Sequence, residues 1–167
     1  MSNIFETKQL RVRKLILSDL DGFHKMQSNF NVMKYVRPKA MIFEENKKEL
    51  NNLIQKYDVS NNDFWIYAVE LKSNNDFIGT VALVKHGRED EIGYRFMEEY
   101  WGNGFGFEVV DGLLKYCKSL GFKKLIAFAA KENIASTKIL EKLNFDYVED
   151  TFADDLKLEE RKFEFKL

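Results

Sequence analysis

The stretch from residue 91 to residue 130 constrains the fold more than any other part of the chain. Residues 91–97 alternate apolar and polar side chains, as a half-buried strand does. A glycine-rich loop follows at 101–106, and then a helical stripe of apolar residues ends at Gly121. Residues 125–130 are a short, continuously apolar run that is typical of a buried strand. A strand, a helix and a second strand in this order predict a parallel pair joined by a right-handed crossover.

The segments around this unit complete a mixed α/β pattern. Residues 64–71 and 77–84 are rich in aromatic and β-branched residues and are separated by the turn sequence SNND. They predict two strands of an antiparallel meander that residues 91–97 continue. The other predicted strands cover residues 9–15, 147–152 and 161–167. One helix is predicted to begin at a capping-box-like sequence at 18–21, two more to cover 31–36 and 44–58, and a fourth to follow residue 133. No repeat or linker interrupts the chain, which predicts one domain over residues 1–167.

Composition excludes several classes of protein before any motif is considered. The 26 basic and 27 acidic residues leave a net charge of −1, so no global basic field attracts nucleic acid or anionic lipid. The single cysteine, Cys117, excludes an internal disulfide and is expected in the core, and His24 and His86 are expected at the surface rather than on zinc. No secretory signal and no apolar stretch of about 20 residues is visible. We therefore expect a cytoplasmic protein without a metal, membrane or nucleic-acid partner.

The loop at 101–106, WGNGFG, has the features of an anion-binding turn. Its alternate glycines let a ligand approach the main chain closely, and the helix that follows directs free N–H groups and the positive end of its dipole at the loop. Such a site favours phosphate or pyrophosphate. The Walker pattern GxxxxGK[ST] is absent, and GxGxG stands in place of the dinucleotide fingerprint GxGxxG. For the loop alone, the alternative is a turn that merely connects a strand to a helix.

These residues resemble the GNAT superfamily of N-acetyltransferases, whose phosphate loop reads Q/R-x-x-G-x-G/A. Residues 91–94 with 100–106 resemble EIGY…YWGxGYA of the RimJ/RimL-type branch, which includes transferases of protein N-termini. Further blocks agree in order along nearly the whole chain: 9–13 with RLxLR, 31–35 with EVMRY, and 133–143 with NxASxKVLEKL. Asn144 replaces the usual glycine after the last block, and because asparagine tolerates positive φ the turn is expected to survive.

The resemblance implies a mixed α/β sheet, with an antiparallel meander, a parallel pair of strands that splay apart, and helices on both faces. Acetyl-CoA is then expected in the opening between the splayed strands. Its pantetheine arm would pair with the main chain at Tyr94, Arg95 and Phe96. Asn133 would contact the cofactor through its side-chain amide, the alternative being a plain helix N-cap. The pyrophosphate is expected on the main-chain amides of Gly102, Asn103, Gly104, Phe105, Gly106 and Phe107.

The expected reaction is attack of a neutral primary amine, on a protein N-terminus or a small molecule, on the acetyl thioester. Glu91 begins the strand that leads to the loop and is the leading candidate for the general base. Its alternative role is a solvated charge at a strand end, and Glu149 is a second candidate base by position. By resemblance, Ser136 would protonate the departing thiolate, the alternative being a hydroxyl that satisfies the helix backbone.

Two groups that many superfamily members use in catalysis are missing. Leu140 stands where a tyrosine acid is common, and Phe128 stands where a strand glutamate is common. A catalytically weak CoA-binding sensor or pseudo-enzyme is therefore the alternative function. Without a strong base an α-amine or another weakly basic amine is the favoured acceptor, because neutralising an α-amine at pH 7 costs about 1 kcal/mol against roughly 4–5 kcal/mol for lysine. The sequence does not name the acceptor, and either a monomer or a homodimer is expected.

Overall fold

The computed structural model describes residues 3–167, which form an eight-stranded sheet covered by five α-helices. The strands are β1 (Asn3–Glu6), β2 (Leu10–Lys14), β3 (Phe64–Leu71), β4 (Asp76–His86), β5 (Glu89–Phe96), β6 (Lys124–Ala130), β7 (Asp146–Ala153) and β8 (Leu158–Lys166). The helices are α1 (Leu20–Gln27), α2 (Phe30–Met33), α3 (Phe43–Lys56), α4 (Phe105–Ser119) and α5 (Ile134–Lys142). Short 3-10 turns lie at Leu17–Asp19 and Glu98–Tyr100.

The sheet is mixed, and its strand order is β1-β2-β3-β4-β5-β6-β8-β7. Strands β3, β4 and β5 form the predicted antiparallel meander. Strand β6 runs parallel to β5, while its other neighbour, β8, is antiparallel. Helix α4 connects β5 to β6, so the predicted strand–helix–strand unit and its parallel pair are confirmed.

Two apolar cores cover the two faces of the sheet, as the period-two alternation of β3 illustrates. Tyr67 and Val69 point into a core with helices α4 and α5, whereas Ile66 and Ala68 point into a core with α1, α2 and α3. The α4 stripe is almost completely buried, and Cys117 within it is 0% exposed. Burial raises the pKa of the Cys117 thiol to about 12, so it is a neutral core residue, as predicted.

A buried ion-pair network ties β2 to β3 and to the start of α1. The Arg13 guanidinium donates to both carboxylate oxygens of Asp19 at 2.8 Å and to Glu70 Oε2 at 2.7 Å. All three side chains are at most 5% exposed. Arg11 pairs with the second oxygen of Glu70 from a partly exposed position. Buried charges of this kind are tolerated because each has a hydrogen-bonded partner of opposite charge.

Several boundaries differ from the predicted ones. Strand β1 was not predicted, because four edge residues carry too little periodicity. The capping box expected at Ser18 is wrong: Asp19 accepts the Ile16 N–H at 2.9 Å, and α1 begins after a 3-10 turn. Asn144 adopts φ +62°, so the turn without glycine survives as expected.

Among residues 3–167, no helix combines the length and the apolar character needed to cross a lipid bilayer.

Candidate active site

The parallel strands β5 and β6 separate almost as soon as they meet. They pair at one registered position, Glu91 opposite Ile126, while β6 remains paired to β8 along its length. Beyond Glu91, the edge of β5 that faces β6 has no strand partner. The separation opens a cleft of about 1270 Å³, larger than the roughly 300–1,000 Å³ of a typical small-molecule site. The expected splayed pair is therefore present.

The glycine loop and the start of α4 form one end of this cleft. Gly102 and Gly104 have φ of +77° and +81°, a left-handed conformation that favours glycine. Gly104 is the N-cap of α4, and the first intrahelical bond runs from the Glu108 N–H to the Gly104 carbonyl at 3.1 Å. The amides of residues 105–107 therefore have no acceptor within the helix. Together with the helix dipole they form a site for an anion.

Side chains next to the glycines hold the loop in this shape. The Trp101 indole donates to the Phe96 carbonyl at 2.9 Å. The Asn103 side-chain amide donates to the Tyr100 and Trp101 carbonyls at 3.0 and 3.1 Å. The Asn103 side chain thus braces the turn and is not part of the cleft lining. The other expected cofactor residues do line it: Tyr94, Arg95, Phe96, Gly102, Gly104, Phe105, Gly106, Phe107 and Asn133.

Asn133 lies across the cleft at the start of α5. Its side-chain oxygen accepts the Ser136 N–H at 3.1 Å, so it is the N-cap of the helix. The Nδ2 group of Asn133 has no hydrogen-bond acceptor in the described part of the chain, and the residue lines the cleft. The N-cap role and a contact with a ligand are therefore compatible.

Ser136 and Tyr94 meet between α5 and β5. The Tyr94 hydroxyl donates to Ser136 Oγ at 3.3 Å, and burial raises the pKa of Tyr94. Gly106 makes room for this ring, because a Cβ there would lie 3.1 Å from Tyr94 Cε2 and 2.9 Å from Ile139 Cδ1. The sequence singled out Ser136 but not its hydroxyl partner, since the contact joins residues 42 positions apart.

Glu91 lies where the two strands meet, is partly buried and lines the cleft. Burial raises its pKa above the ordinary 4.5, and the nearby His86 opposes this shift. His86 Nδ1 lies 3.1 Å from Glu91 Oε2. The side chain of His86 is 61% exposed, as expected of a surface residue, but the sequence did not predict this pairing.

A second carboxylate, Glu160 on β8, also lines the cleft. Burial and the charge of Glu91 raise its pKa. The sequence analysis missed Glu160, because only the sheet order brings β8 next to β6. Glu149, the second candidate base, lies on the edge strand β7, exposed at the same cleft.

No acid or base occupies the two positions where many superfamily members carry one. Leu140 is 2% exposed in the core between α4 and α5. Phe128 lines the cleft, with its ring centroid 5.1 Å from that of His86. Among residues 3–167, no three His, Cys, Asp or Glu side chains are arranged to hold a metal ion.

The fold and the cleft are those of an acyl-CoA-dependent transferase. Residues 9–146 match the family model described as "Acetyltransferase (GNAT) domain", which is of the RimJ/RimL type. The chain therefore belongs to the GNAT family and is an N-acetyltransferase of that family. Proteins with this fold use acyl-CoA.

Two relatives from Bacillus subtilis (strain 168) illustrate the match. The uncharacterized N-acetyltransferase YoaA is 29% identical over 153 residues, which cover 87% of this chain and 84% of YoaA. The uncharacterized N-acetyltransferase YnaD is 29% identical over 140 residues, which cover 82% of this chain and 79% of YnaD.

Solved structures share the fold at lower identity. A GNAT-family acetyltransferase from Bacillus anthracis superposes with a TM-score of 0.84 at 22% identity and 97% coverage of both chains. RimL, a ribosomal L7/L12 alpha-N-protein acetyltransferase in complex with coenzyme A, has a TM-score of 0.83 at 14% identity, covering 99% of this chain and 98% of its own. The ribosomal-protein-S5-alanine acetyltransferase from Vibrio fischeri has a TM-score of 0.80 at 19% identity, covering 99% and 97%.

Proposed function

We propose that this enzyme transfers the acetyl group of acetyl-CoA to a primary amine, either a protein N-terminal α-amine or the amine of a small molecule. The observation that carries the proposal is the cleft between β5 and β6, with free amides at the start of α4 at one end and Glu91 at the point where the strands meet. The cleft then offers one place for the diphosphate of the cofactor and a separate place for its reactive thioester.

The cofactor would be held mainly by the main chain. The amides of residues 102–107 would bind the pyrophosphate, and Asn133 Nδ2 would donate to the cofactor from the opposite wall. Tyr94, Arg95 and Phe96 lie where β5 has lost its neighbour, and half of their amides and carbonyls point away from β4. The pantetheine arm would take the place of the missing strand.

In the reaction, the amine nitrogen attacks the thioester carbonyl, a C–N bond forms and the C–S bond breaks. Glu91 would accept the proton lost by the amine, directly or through water. Its raised pKa suits this role, because a base works best when its pKa approaches the working pH. Ser136 would donate a proton to the departing thiolate, and the Tyr94 hydroxyl that donates to Ser136 would replenish it.

An α-amine acceptor fits this machinery better than a lysine side chain. Deprotonating an α-amine at pH 7 costs about 1 kcal/mol, and deprotonating a lysine costs roughly 4–5 kcal/mol. RimL, which shares the fold of this chain, is named as an alpha-N-protein acetyltransferase. We further propose that residues 1–167 act as one domain, in the cytoplasm, as a monomer or a homodimer.

Calorimetry with acetyl-CoA and release of free CoA thiol test the proposal together. The amine panel would contain peptides with free N-termini, polyamines and aminoglycosides. We expect acetyl-CoA to bind and at least one amine to accelerate thiol release above the rate of hydrolysis. Binding without amine-dependent release would favour the CoA sensor instead, and no binding would refute both.

A further inference from the structure

Arg95 presents its main chain and its side chain to different parts of the cleft. Its main chain belongs to the edge of β5 proposed for pantetheine. Its side chain points to the opposite face from Tyr94, towards helices α1 and α2. There the Arg95 Nη1 group donates to Gln27 Oε1 at 2.8 Å and lies 3.7 Å from Met33 Sδ. The guanidinium therefore lies on the face of β5 that packs against α1 and α2.

Arg95 is a cation without a partner anion. Within the described residues, no carboxylate oxygen lies within 4 Å of its guanidinium, and both of its hydrogen-bonding neighbours are neutral. Burial and the nearby Arg37 lower the pKa of Arg95 to about 10, with Glu49 opposing the shift, so the group is still charged at neutral pH. Buried charges in proteins are normally paired.

The surrounding polar network contains no carboxylate that is free to pair with Arg95. Gln27 is 0% exposed, and its amide nitrogen contacts Asn46 at 3.2 Å and Glu49 at 3.3 Å. Glu49 is already neutralised by Arg37 at 2.6 Å. The network thus fixes the position of the Arg95 side chain. Because Arg37 and Glu49 neutralise each other, the charge of Arg95 is the net positive charge of this cluster.

Two donor groups of Arg95 remain for a ligand. The Nε and Nη2 nitrogens have no acceptor in the described chain. Both remain accessible to solvent, unlike Arg37 Nε, which is buried without a hydrogen-bond partner. Arg95 also lines the cleft. These two groups form one edge of the guanidinium, the edge that binds a carboxylate through two parallel hydrogen bonds.

We propose that Arg95 anchors a carboxylate of the acceptor, so that the enzyme prefers amines that also carry a carboxylate. This inference rests on the proposed acetyl transfer. Glu91 and Arg95 lie on the same face of β5, with Cα atoms about 13 Å apart at 3.3 Å per residue. An acceptor between them would direct its amine towards the acidic end, where Glu160 also lies, and its carboxylate towards Arg95.

The test compares acceptors that differ only in one carboxylate. The pairs are peptides with Glu or Gln at the first, second or third residue, and free amino acids against their amides. The variants are Arg95→Gln and Arg95→Lys, with Lys34→Gln as a matched control that removes an exposed positive charge from the same cleft. Thermal melting checks that each variant is folded.

For wild type we expect kcat/KM for the carboxylate member of at least one pair to exceed that for the neutral member about tenfold, as for a charge-assisted hydrogen bond. Arg95→Gln should bring this ratio to about one, whereas damage to the cofactor site would slow both members of a pair alike and leave the ratio unchanged. Arg95→Lys should restore part of it, and Lys34→Gln should leave it intact. No preference in wild type, or a preference that survives in Arg95→Gln, would overturn the inference.

Failure of the proposed function gives a different result. If no amine releases thiol, calorimetry of the same ligand pairs on the CoA complex becomes the readout. A carboxylate preference that Arg95→Gln removes would then support the anion site although acetyl transfer is refuted. Equal binding of the two members of every pair would overturn the site as well.

Discussion

Replacing Gly104 by alanine isolates the contribution of the loop, because the same helix supplies a matched control. Gly104 and Gly121 lie just before and just after α4, with φ of +81° and +87°. At neither position would an added Cβ meet another atom within 4 Å. Each substitution therefore imposes backbone strain alone, about 1–2 kcal/mol. For a chain of this size we expect each variant to melt about 2–8 °C below wild type.

The two variants should differ in their affinity for CoA. We expect strain at Gly104 to be relieved by rotation of the loop, which would turn the amides of residues 105–107 away from the proposed diphosphate. Loss of one hydrogen bond to a charged group is worth about 1.5–3 kcal/mol, or roughly 10- to 150-fold in affinity. Gly104→Ala should therefore bind CoA at least about tenfold more weakly than Gly121→Ala, which should bind it like wild type.

Isothermal titration with CoA and with pantetheine measures this difference directly. Pantetheine lacks the diphosphate, so its affinity should be the same for both variants. The reasoning is refuted if Gly104→Ala and Gly121→Ala bind CoA equally well. It is also refuted if Gly104→Ala weakens pantetheine as much as CoA, because the loop would then act on another part of the cofactor.

Three further predictions concern the base, the proton donor and the stability of the fold. Below the limb set by protonation of the acceptor amine, kcat/KM should show a second acid limb with its midpoint above pH 4.5, because Glu91 must be unprotonated and its pKa is raised. Glu91→Gln should remove this second limb and slow the reaction about 100-fold, and a retained second limb would exclude Glu91 as the base. Tyr94→Phe and Ser136→Ala should each lower kcat. Because the two hydroxyls act in series, the double variant should lower kcat little more than either single variant does. Additive losses of activation free energy would contradict this relay. Glu70→Gln should lower the free energy of unfolding by about 3–5 kcal/mol, because it breaks the buried pairing with Arg13. Calorimetry should then show melting roughly 6–20 °C below wild type. An unchanged melting temperature would mean that the network does not stabilise the fold.

Periodicity predicted those elements whose neighbours are close in sequence. The alternation in residues 64–97 predicted the meander, and the apolar stripe after the loop predicted α4 as the crossover. Local patterns failed where the pairing partner is distant. The edge strand β1 is too short to show a period. The capping box predicted at Ser18 does not form, because the Asp19 carboxylate is held by Arg13 and accepts the Ile16 N–H.

The candidate site was predictable only in its main-chain part. A glycine-rich turn before a helix signals free amides without knowledge of the rest of the fold. The pairing of His86 with Glu91 and the approach of Glu160 depend on sheet order and on the splay of β5 from β6. The Arg95 guanidinium is held by a neutral partner, Gln27, which lies 68 positions away in sequence. No local pattern encodes such a contact.

A crystal structure of the CoA complex tests the central claim most directly. The proposal predicts diphosphate oxygens about 3 Å from the main-chain nitrogens of residues 105–107, with pantetheine along the open edge of β5. A diphosphate bound elsewhere on the molecule, or a loop whose own side chains fill this position, would contradict it.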